Sequence, residues 1–427
     1  MNGALVAASL SDPFGAAIAR RAAHVLRVLG PAWIVMIADV DAASVITAAQ
    51  AGSSFGYAML LPLLVLVPVL YLVQEMTSRL AVVTGLGHAE LIRERYGMRW
   101  GAVAVLSMVS IDMVAYVAEF AGIVLGASIV GVPAPAVVLG ALVFHSAVVL
   151  TGSYARFERL VLVLSLGLFA FVALALAARP DPGSVLAGFG PAGQVGRGDG
   201  YLQLVVATTG AVIMPWMLFY QQAATVDKGL GRQDLGAARL ETLVGAAVSQ
   251  ILMAAVVVAA AAATAVGAGS SLSAGGMVLP AGLAGLAVGG GAGLIAVGMV
   301  GSGLLAAIVI SLSSAWAWAE LFQWPRSLNL SPRKAPLFYG LYLIEIIPAA
   351  IVALVATDLV AVVVNAMVLN VLVLVVPLTF LILLTSDREV VGDLASSLVR
   401  SVVLWAIAAV LLALGLWSTV SMLVRAG

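Results

Sequence analysis

The sequence predicts an all-α protein that crosses a lipid bilayer about eleven times. Of its 427 residues, 63% are hydrophobic and only 9% are charged, whereas soluble domains carry about 25% charged residues. The mean hydropathy of the chain is +1.16. So few charges leave too little polar surface to face water, and lipid must therefore cover most of the outside.

Each predicted span is a stretch of roughly 20 mostly apolar residues, the length that crosses a bilayer as a helix. Such stretches occur at 31–54, 57–83, 102–130, 134–151, 159–178, 201–225, 240–266, 291–320, 336–356, 359–385 and 398–422. An odd number of spans puts the two termini on opposite sides of the membrane.

The basic residues predict the orientation. With a cytoplasmic N-terminus, all 20 Lys and Arg residues except Arg179, Arg197 and Arg425 fall on the cytoplasmic side, as the positive-inside rule requires. A wrong span count would scramble this bias. We therefore expect a multi-pass cell-membrane protein with an external C-terminus, and the uncharged, Gly-rich segment 267–290 outside.

Composition also argues against several classes of function. The formal net charge is zero, so nucleic acid is not an expected partner. The absence of cysteine excludes disulfides and thiolate chemistry. Three scattered histidines supply no catalytic constellation, and the first residues lack the basic region of a signal peptide. We expect no enzyme activity, no cofactor and no obligate protein partner.

Two carboxylates interrupt the first span. Asp39 and Asp41 lie near the middle of an apolar run, where a charged group costs at least ~2.5 kcal/mol and normally faces a cavity, a partner or an ion. Asp41 is the better candidate for a direct role. Asp39 is a candidate for the vestibule or for a water network.

A proline interrupts the sixth span. Pro215 removes a backbone donor and collides with the preceding turn, so the carbonyls of Ala211 and Ile213 lose helical partners. Unwound backbone at membrane depth is tolerated only where it is buried or lines an aqueous cavity.

The two interruptions lie five spans apart, so a second five-helix unit would be inverted relative to the first. Interrupted helices at corresponding positions of inverted halves indicate a transporter's central site. We predict an N-terminal segment (1–27), a first repeat (28–200), an inverted repeat (201–390) and an additional helix (391–427). Carbonyls and a carboxylate offer oxygen ligands to a cation, and the thioether of Met214 adds a ligand suited to transition metals.

The chain resembles the NRAMP family of divalent metal transporters from about Gly30 to about Gly392. The segments similar to family motifs are Gly30-Pro31-Ala32, Asp41-Ala42-Ala43-Ser44, Gln50-Ala51-Gly52, Gln74 to Gly85, Ala89 to Tyr96, Gly210 to Trp216 and Thr385-Ser386-Asp387-Arg388. The resemblance implies the LeuT-like fold, with two inverted five-helix repeats and unwound helices 1 and 6.

The resemblance also implies a set of metal ligands. Asp41 matches the family's metal-binding aspartate, Met214 its thioether ligand, and Ala211 the residue that offers a backbone carbonyl. Ser44 stands where the family has a ligand asparagine, and this smaller side chain would leave room for a hydrated ion.

The residues that handle protons in the family are largely replaced. Trp216 and Gln221 stand at two histidine positions, and Tyr116 replaces an acid three residues before a matching glutamate, Glu119. In this fold span ten packs near the site, which makes Asn370 a further candidate for lining it. The pattern is similar to the NRAMP-related magnesium transporter branch, which lacks proton coupling.

The resulting prediction is a uniporter-like carrier whose substrate is Mg²⁺ or Mn²⁺ and whose environment is membrane lipid. Mg²⁺ prefers hard oxygen ligands, whereas the Met214 thioether favours Mn²⁺. A proton-coupled Mn²⁺/Fe²⁺ symporter and a Na⁺-coupled amino-acid transporter remain alternatives, as do a channel and a sensor.

Overall fold

The computed structural model describes residues 28–150, 152–190, 196–265, 273–274, 277–355 and 359–426. Helices dominate this part of the chain. The strands within it are two antiparallel two-residue pieces, β1 (Ser273–Ala274) and β2 (Met277–Val278). The predicted all-α fold is confirmed.

The α-helices, in chain order, are α1 (Pro31–Ala38), α2 (Ala42–Phe55), α3 (Leu60–Thr84), α4 (His88–Tyr96), α5 (Met98–Ile129), α6 (Ala134–Val149), α7 (Tyr154–Ser165), α8 (Ala170–Ala177), α9 (Pro182–Gly188), α10 (Gly198–Val212), α11 (Pro215–Asp227), α12 (Leu235–Ala265), α13 (Ala281–Leu286), α14 (Ala292–Phe322), α15 (Pro336–Ile344), α16 (Ile346–Val355), α17 (Leu359–Ser386), α18 (Arg388–Val391) and α19 (Leu398–Ala426). Four 3₁₀ turns (Gly56–Met59, Leu166–Phe169, Arg232–Asp234 and Gly392–Leu394) and a π-helical turn (Ala287–Gly291) complete the helical elements.

The described ranges contain nine helical runs that are long and apolar enough to cross a bilayer. One of them, Ala42–Thr84, contains α2 and α3 and so reaches into two predicted spans. Gly56 (φ 61°, ψ −144°) marks the boundary between these two helices. The shorter apolar helix α6 supplies the predicted fourth span. Every predicted span therefore has a helical counterpart. The side of each terminus and the boundaries of the repeats stay predictions.

Both expected helix interruptions are present. The chain leaves the helical conformation between α1 and α2 and again between α10 and α11, where Asp41 (φ −81°, ψ 174°) and Met214 (φ −110°, ψ 147°) are extended. A proline disfavours helical backbone in the residue before it, so Pro215 accounts for the second break. The first break contains no proline. There, the carboxylates of Glu119 and Asp41 accept hydrogen bonds from the free backbone N–H groups at the start of α2.

Close helix packing places the two breaks in the core. Helix α2 packs on α12 and α5, and α10 packs on α17. Two glycines permit the tightest approaches at the breaks: a Cβ on Gly122 would lie 2.1 Å from the Ala42 Cβ, and one on Gly210 would lie 1.8 Å from the Met367 carbonyl oxygen. Any side chain at these positions would push the broken helices away from their neighbours.

Several of the basic residues that were predicted to share one side of the membrane form ion pairs with acidic residues. Buried Glu75 contacts Arg79 (3.6 Å), Arg239 (2.8 Å) and Arg400. Further ion pairs in this group are Lys228–Glu158, Arg95–Asp387, Arg232–Asp393 and Arg326–Glu90.

Candidate metal site

The two carboxylate oxygens of Asp41 have different surroundings. Asp41 caps the N-terminus of α2, where its Oδ1 accepts a hydrogen bond from the Ser44 backbone N–H (2.6 Å). Its Oδ2 is buried and has no hydrogen-bonding partner among the described residues. The cap orients the carboxylate, and the side chain of Glu119 is its acidic neighbour.

Ser44 joins the two breaks. Its hydroxyl donates to the carbonyl oxygen of Ala211 at 2.8 Å, and both residues are buried. This contact brings together residues that are 167 positions apart in the chain. Asp41, Ser44 and Ala211, predicted as ligands from three separate positions, therefore converge on one place.

Met214 belongs to the second break and caps α11 in extended conformation. Its sulfur accepts a hydrogen bond from the Trp216 indole Nε1–H at 3.1 Å. The Trp216 carbonyl in turn accepts from the Ser313 hydroxyl of α14 (2.8 Å). Trp216, at a position where the family has histidine, thus contacts the predicted thioether ligand directly.

Asn370 holds the end of α10. Its side-chain amide donates to the Gly210 carbonyl oxygen at 2.5 Å, one residue before Ala211. A carbonyl in the last turn of a helix has no intrahelical partner, and the Asn370 amide supplies one. The structure therefore places Asn370 beside the break, as predicted, with a role in supporting the unwound backbone.

Glu119 lies at the start of α2, next to Asp41. Its Oε2 accepts from the Ala42 backbone N–H (3.0 Å), while its Oε1 has no hydrogen-bonding partner in the described part of the chain. Two carboxylates thus serve the first turn of one helix, where the positive end of the helix dipole stabilises negative charge.

Asp39 lies in the same break but has no such support. It is fully buried, and neither of its carboxylate oxygens has a hydrogen-bonding partner within the ranges that the structure describes. Its backbone N–H donates to the Val35 carbonyl (3.0 Å), so the residue ends α1.

The donors that the two breaks present are chemically mixed: a carboxylate, a hydroxyl, a backbone carbonyl and a thioether. Over the described residues, no group of three or more His, Cys, Asp and Glu side chains could hold a metal ion. The arrangement therefore differs from a resident metal centre built of acids and histidines.

Comparison with known proteins identifies the family. Residues 32–421 match the Nramp family, described as natural resistance-associated macrophage protein-like. The chain belongs to the Nramp family.

Two similar Nramp relatives are bacterial. The divalent metal cation transporter MntH of Ralstonia nicotianae is 32% identical over 259 residues, which is 56% of either chain. The divalent metal cation transporter MntH 1 of Pseudomonas aeruginosa is 32% identical over 256 residues, which is 55% of this chain and 56% of the relative. The matched region thus spans little more than half the length of these curated relatives.

Solved structures share the Nramp chain's fold. A manganese transporter of Eremococcus coleocola superimposes with a TM-score of 0.75 at 21% identity, covering 92% of this chain and 86% of the other. A Na⁺-coupled sialic acid symporter superimposes with a TM-score of 0.59 at 11% identity, covering 92% and 94%. Identities this low establish the fold alone. The two superpositions confirm the predicted LeuT-like fold class.

Two predicted pathway residues of this Nramp chain make contacts outside the site. The Gln221 amide donates to the Ser78 hydroxyl (2.6 Å) and the Gln74 carbonyl (3.2 Å), which ties α11 to α3. The Tyr116 hydroxyl donates to Glu345 at the start of α16 (3.2 Å). Tyr116 and Glu119 are one turn apart on α5, yet their hydrogen bonds lead to different helices.

Two residues near the Nramp site escaped the sequence prediction. Thr47 lies one turn beyond Ser44 on α2, and Thr208 lies one turn before Ala211 on α10. Both hydroxyls are buried, and neither has a hydrogen-bonding partner among the residues described. The helical spacing of three from the predicted ligands is the signal that could have found them, since it puts both on the faces that meet at the Ser44–Ala211 contact.

Proposed function

We propose that the chain is a secondary transporter that moves divalent metal cations, chiefly Mg²⁺ and Mn²⁺, by alternating access. The observation that carries the proposal is the junction of the two broken helices. At this junction the Ser44 hydroxyl meets the Ala211 carbonyl beside the unpartnered oxygen of Asp41. Interrupted helices that meet in a bundle supply the ion sites of secondary transporters.

Relatives and donor chemistry support a divalent substrate. Similar proteins are named divalent metal cation transporters and a manganese transporter. The oxygens of Asp41, Ser44 and Ala211 are hard ligands, which Mg²⁺ and Mn²⁺ accept, whereas the Met214 sulfur favours the softer Mn²⁺. Replacement of asparagine by Ser44 leaves space for a water molecule on the ion. An anionic substrate such as an amino acid is disfavoured, because its carboxylate would meet Asp41.

We further propose that transport is not coupled to protons. Neither Trp216 nor Gln221, at the two histidine positions of the family, titrates near neutral pH. Their side chains contact the Met214 sulfur and the polar groups of α3 instead. A proton-coupled Mn²⁺ symporter is the second candidate function. Its support is Glu119, a buried acid that the fold places at the start of α2 next to Asp41.

Uptake of Mg²⁺, Mn²⁺ and Ca²⁺ into proteoliposomes tests the transport proposal and separates it from a sensor role. Asp41→Ala removes both the charge and the cap, whereas Asp41→Asn keeps an acceptor for the Ser44 N–H. We expect both variants to lose uptake while remaining monodisperse in detergent, with Asp41→Asn closer to the wild type in thermal stability, since a helix cap contributes about 1 kcal/mol. Full uptake by Asp41→Ala would contradict the site.

A further inference from the structure

The two aspartates of the first break stand at helix ends of opposite polarity. Asp41 caps the N-terminus of α2, where backbone N–H groups and the helix dipole stabilise its charge. Asp39 ends α1 as its C-cap residue, where the dipole is negative and carbonyl groups face the break. The same side chain is therefore stabilised at one position and destabilised at the other.

Asp39 has nothing in the described protein to compensate its charge. It is fully buried, both carboxylate oxygens lack hydrogen-bonding partners there, and no described ion pair includes it. Its electrostatic neighbour is Asp41, a second acid. A buried carboxylate without a partner is costly, and inside a membrane such a group normally faces an ion or a pathway.

We propose that Asp39 is a second carboxylate of the metal site and sets its preference for hard divalent ions. The inference rests on the transport function proposed above. A carboxylate from Asp39 would add its negative charge to that of Asp41 around a buried divalent cation, and unlike Glu119 it has no backbone N–H group of a helix start to bind instead. Asp39 adds a hard oxygen and Met214 a soft sulfur, so the two residues bias the site in opposite directions.

This arrangement predicts an asymmetric effect of removing the charge at position 39. Asp39→Asn keeps the size of the side chain and loses its charge. Mg²⁺ depends on hard oxygen ligands, whereas Mn²⁺ retains its interaction with Met214. We expect the apparent Kd for Mg²⁺ to rise by on the order of tenfold or more and that for Mn²⁺ to rise less. Without metal, the variant should have a Tm at least as high as that of the wild type, because the amide keeps the volume of the side chain and has no charge to desolvate.

The experiment titrates the full-length protein in detergent with Mg²⁺ and Mn²⁺ and follows the metal-induced rise in Tm, with uptake into proteoliposomes measured in parallel. Asp112→Asn is the matched control. Asp112 is also buried and has one oxygen without a described partner, but its other oxygen accepts from Ser314 (3.2 Å). The control should leave the ratio of Mg²⁺ to Mn²⁺ affinity unchanged.

The outcomes separate this inference from the transport proposal. If the wild type shows neither uptake nor metal-induced stabilisation, the transport function is wrong and the role of Asp39 falls with it. If the wild type binds and transports but Asp39→Asn has the same Mg²⁺ to Mn²⁺ ratio, only the role of Asp39 is overturned. Asp39→Ser serves as a second variant. A lower metal-free Tm or loss of the folded protein in both variants would assign Asp39 a structural role and overturn the inference.

Discussion

At the residue scale, the sulfur of Met214 has an unusual neighbour. The Trp216 indole N–H donates a hydrogen bond to this sulfur at 3.1 Å. The bond engages a sulfur lone pair that could otherwise bind a metal ion. The thioether is therefore a weaker ligand here than an unbonded methionine would be. Under the proposed function, this contact weakens the soft ligand and so reduces the preference of the site for Mn²⁺ over Mg²⁺.

Two substitutions test this reasoning together. Met214→Ala should lower Mn²⁺ uptake relative to Mg²⁺. Trp216→Phe should raise the same ratio by roughly threefold, the equivalent of a weak hydrogen bond of about 0.6 kcal/mol. Competitive uptake of the two ions into proteoliposomes measures the ratio. In the Met214→Ala background, Trp216→Phe should have no further effect; an equal effect in both backgrounds would show that Trp216 acts through another group.

At the element scale, α1 is a separate eight-residue helix whose start is held by other helices. Glu241 of α12 accepts from the backbone N–H groups of Gly30 (2.5 Å) and Trp33 (2.8 Å). Lys228, at the end of α11, donates to the Leu29 carbonyl (2.6 Å) and to Glu158 of α7 (2.7 Å). Because the break separates α1 from α2, these contacts fix the start of α1 against α7, α11 and α12.

We expect Glu241→Ala to loosen α1. The absence of cysteine from the chain allows a single Val35→Cys reporter on the buried part of α1. Its labelling rate should rise by about tenfold or more when two charge-assisted hydrogen bonds to α1 are lost. Glu389→Ala is the control, because it removes only an exposed ion pair with Arg95. Equal labelling in the two variants would show that Glu241 does not hold α1.

The short helix α4, between the spans formed by α3 and α5, docks through a buried histidine. His88 Nδ1 lies 3.1 Å from Gln222 Oε1 of α11, and its ring meets Phe219 edge-on at 4.9 Å. Burial lowers the pKa of His88 to about 4 from its usual value of 6.5. The folded protein therefore holds His88 neutral at pH values where the unfolded chain binds a proton.

This difference predicts a loss of stability in acid. The contribution of His88 is present above pH 6.5 and is lost as the pH falls from 6.5 toward 4, by about 3 kcal/mol in all. His88→Gln, which can still hydrogen-bond Gln222, should have a shallower decline of Tm over this pH range. Thermal unfolding in detergent between pH 7.5 and pH 4 measures it. Parallel curves for the two proteins would show that His88 is not the titrating group.

At the scale of the whole molecule, the question is whether ion movement carries protons with it. Of the three histidines, His88 bonds Gln222 and His145 stacks on Tyr342 at 4.3 Å, so both have packing roles, while His24 lies outside the described residues. Among the residues that the structure describes, the titratable groups at the breaks are three carboxylates: Asp39, Asp41 and Glu119.

The prediction is metal transport without proton movement. Proteoliposomes loaded with a pH-sensitive dye should show no internal acidification when a Mn²⁺ gradient drives uptake, and an imposed inward proton gradient should not concentrate the metal. Proteoliposomes with wild-type protein and no metal measure the proton leak. Those with Asp41→Asn measure the background of acidification and Mn²⁺ entry without transport. Acidification at a fixed ratio to Mn²⁺ entry would establish coupling and make Asp41 and Glu119 the relay candidates to substitute next.

The sequence by itself determined the spans and the two interruptions, whereas the membrane side of the basic residues stays a prediction. Hydropathy, a proline and mid-membrane acids act locally, so they can be recognised in the chain without knowledge of its partners. Asp41 and Met214 were identified in this way as candidate ligands, and the metal-binding roles that the family resemblance implies for them stay predictions. Asn370 and Glu119 were also candidates from the sequence. The sequence did not reveal the backbone groups that they bind, which are the Gly210 carbonyl and the Ala42 N–H.

Only the tertiary structure decided which groups meet. The Ser44–Ala211 contact joins residues 167 positions apart, and the Asn370–Gly210 contact joins residues 160 apart. No local pattern encodes such pairs, because they depend on how closely α2, α10 and α17 pack. For the same reason, Tyr116 was grouped with Glu119 by helical spacing, yet its hydroxyl bonds Glu345. A side chain's partner is chosen by the neighbouring helix, and helix packing is a property of the whole bundle.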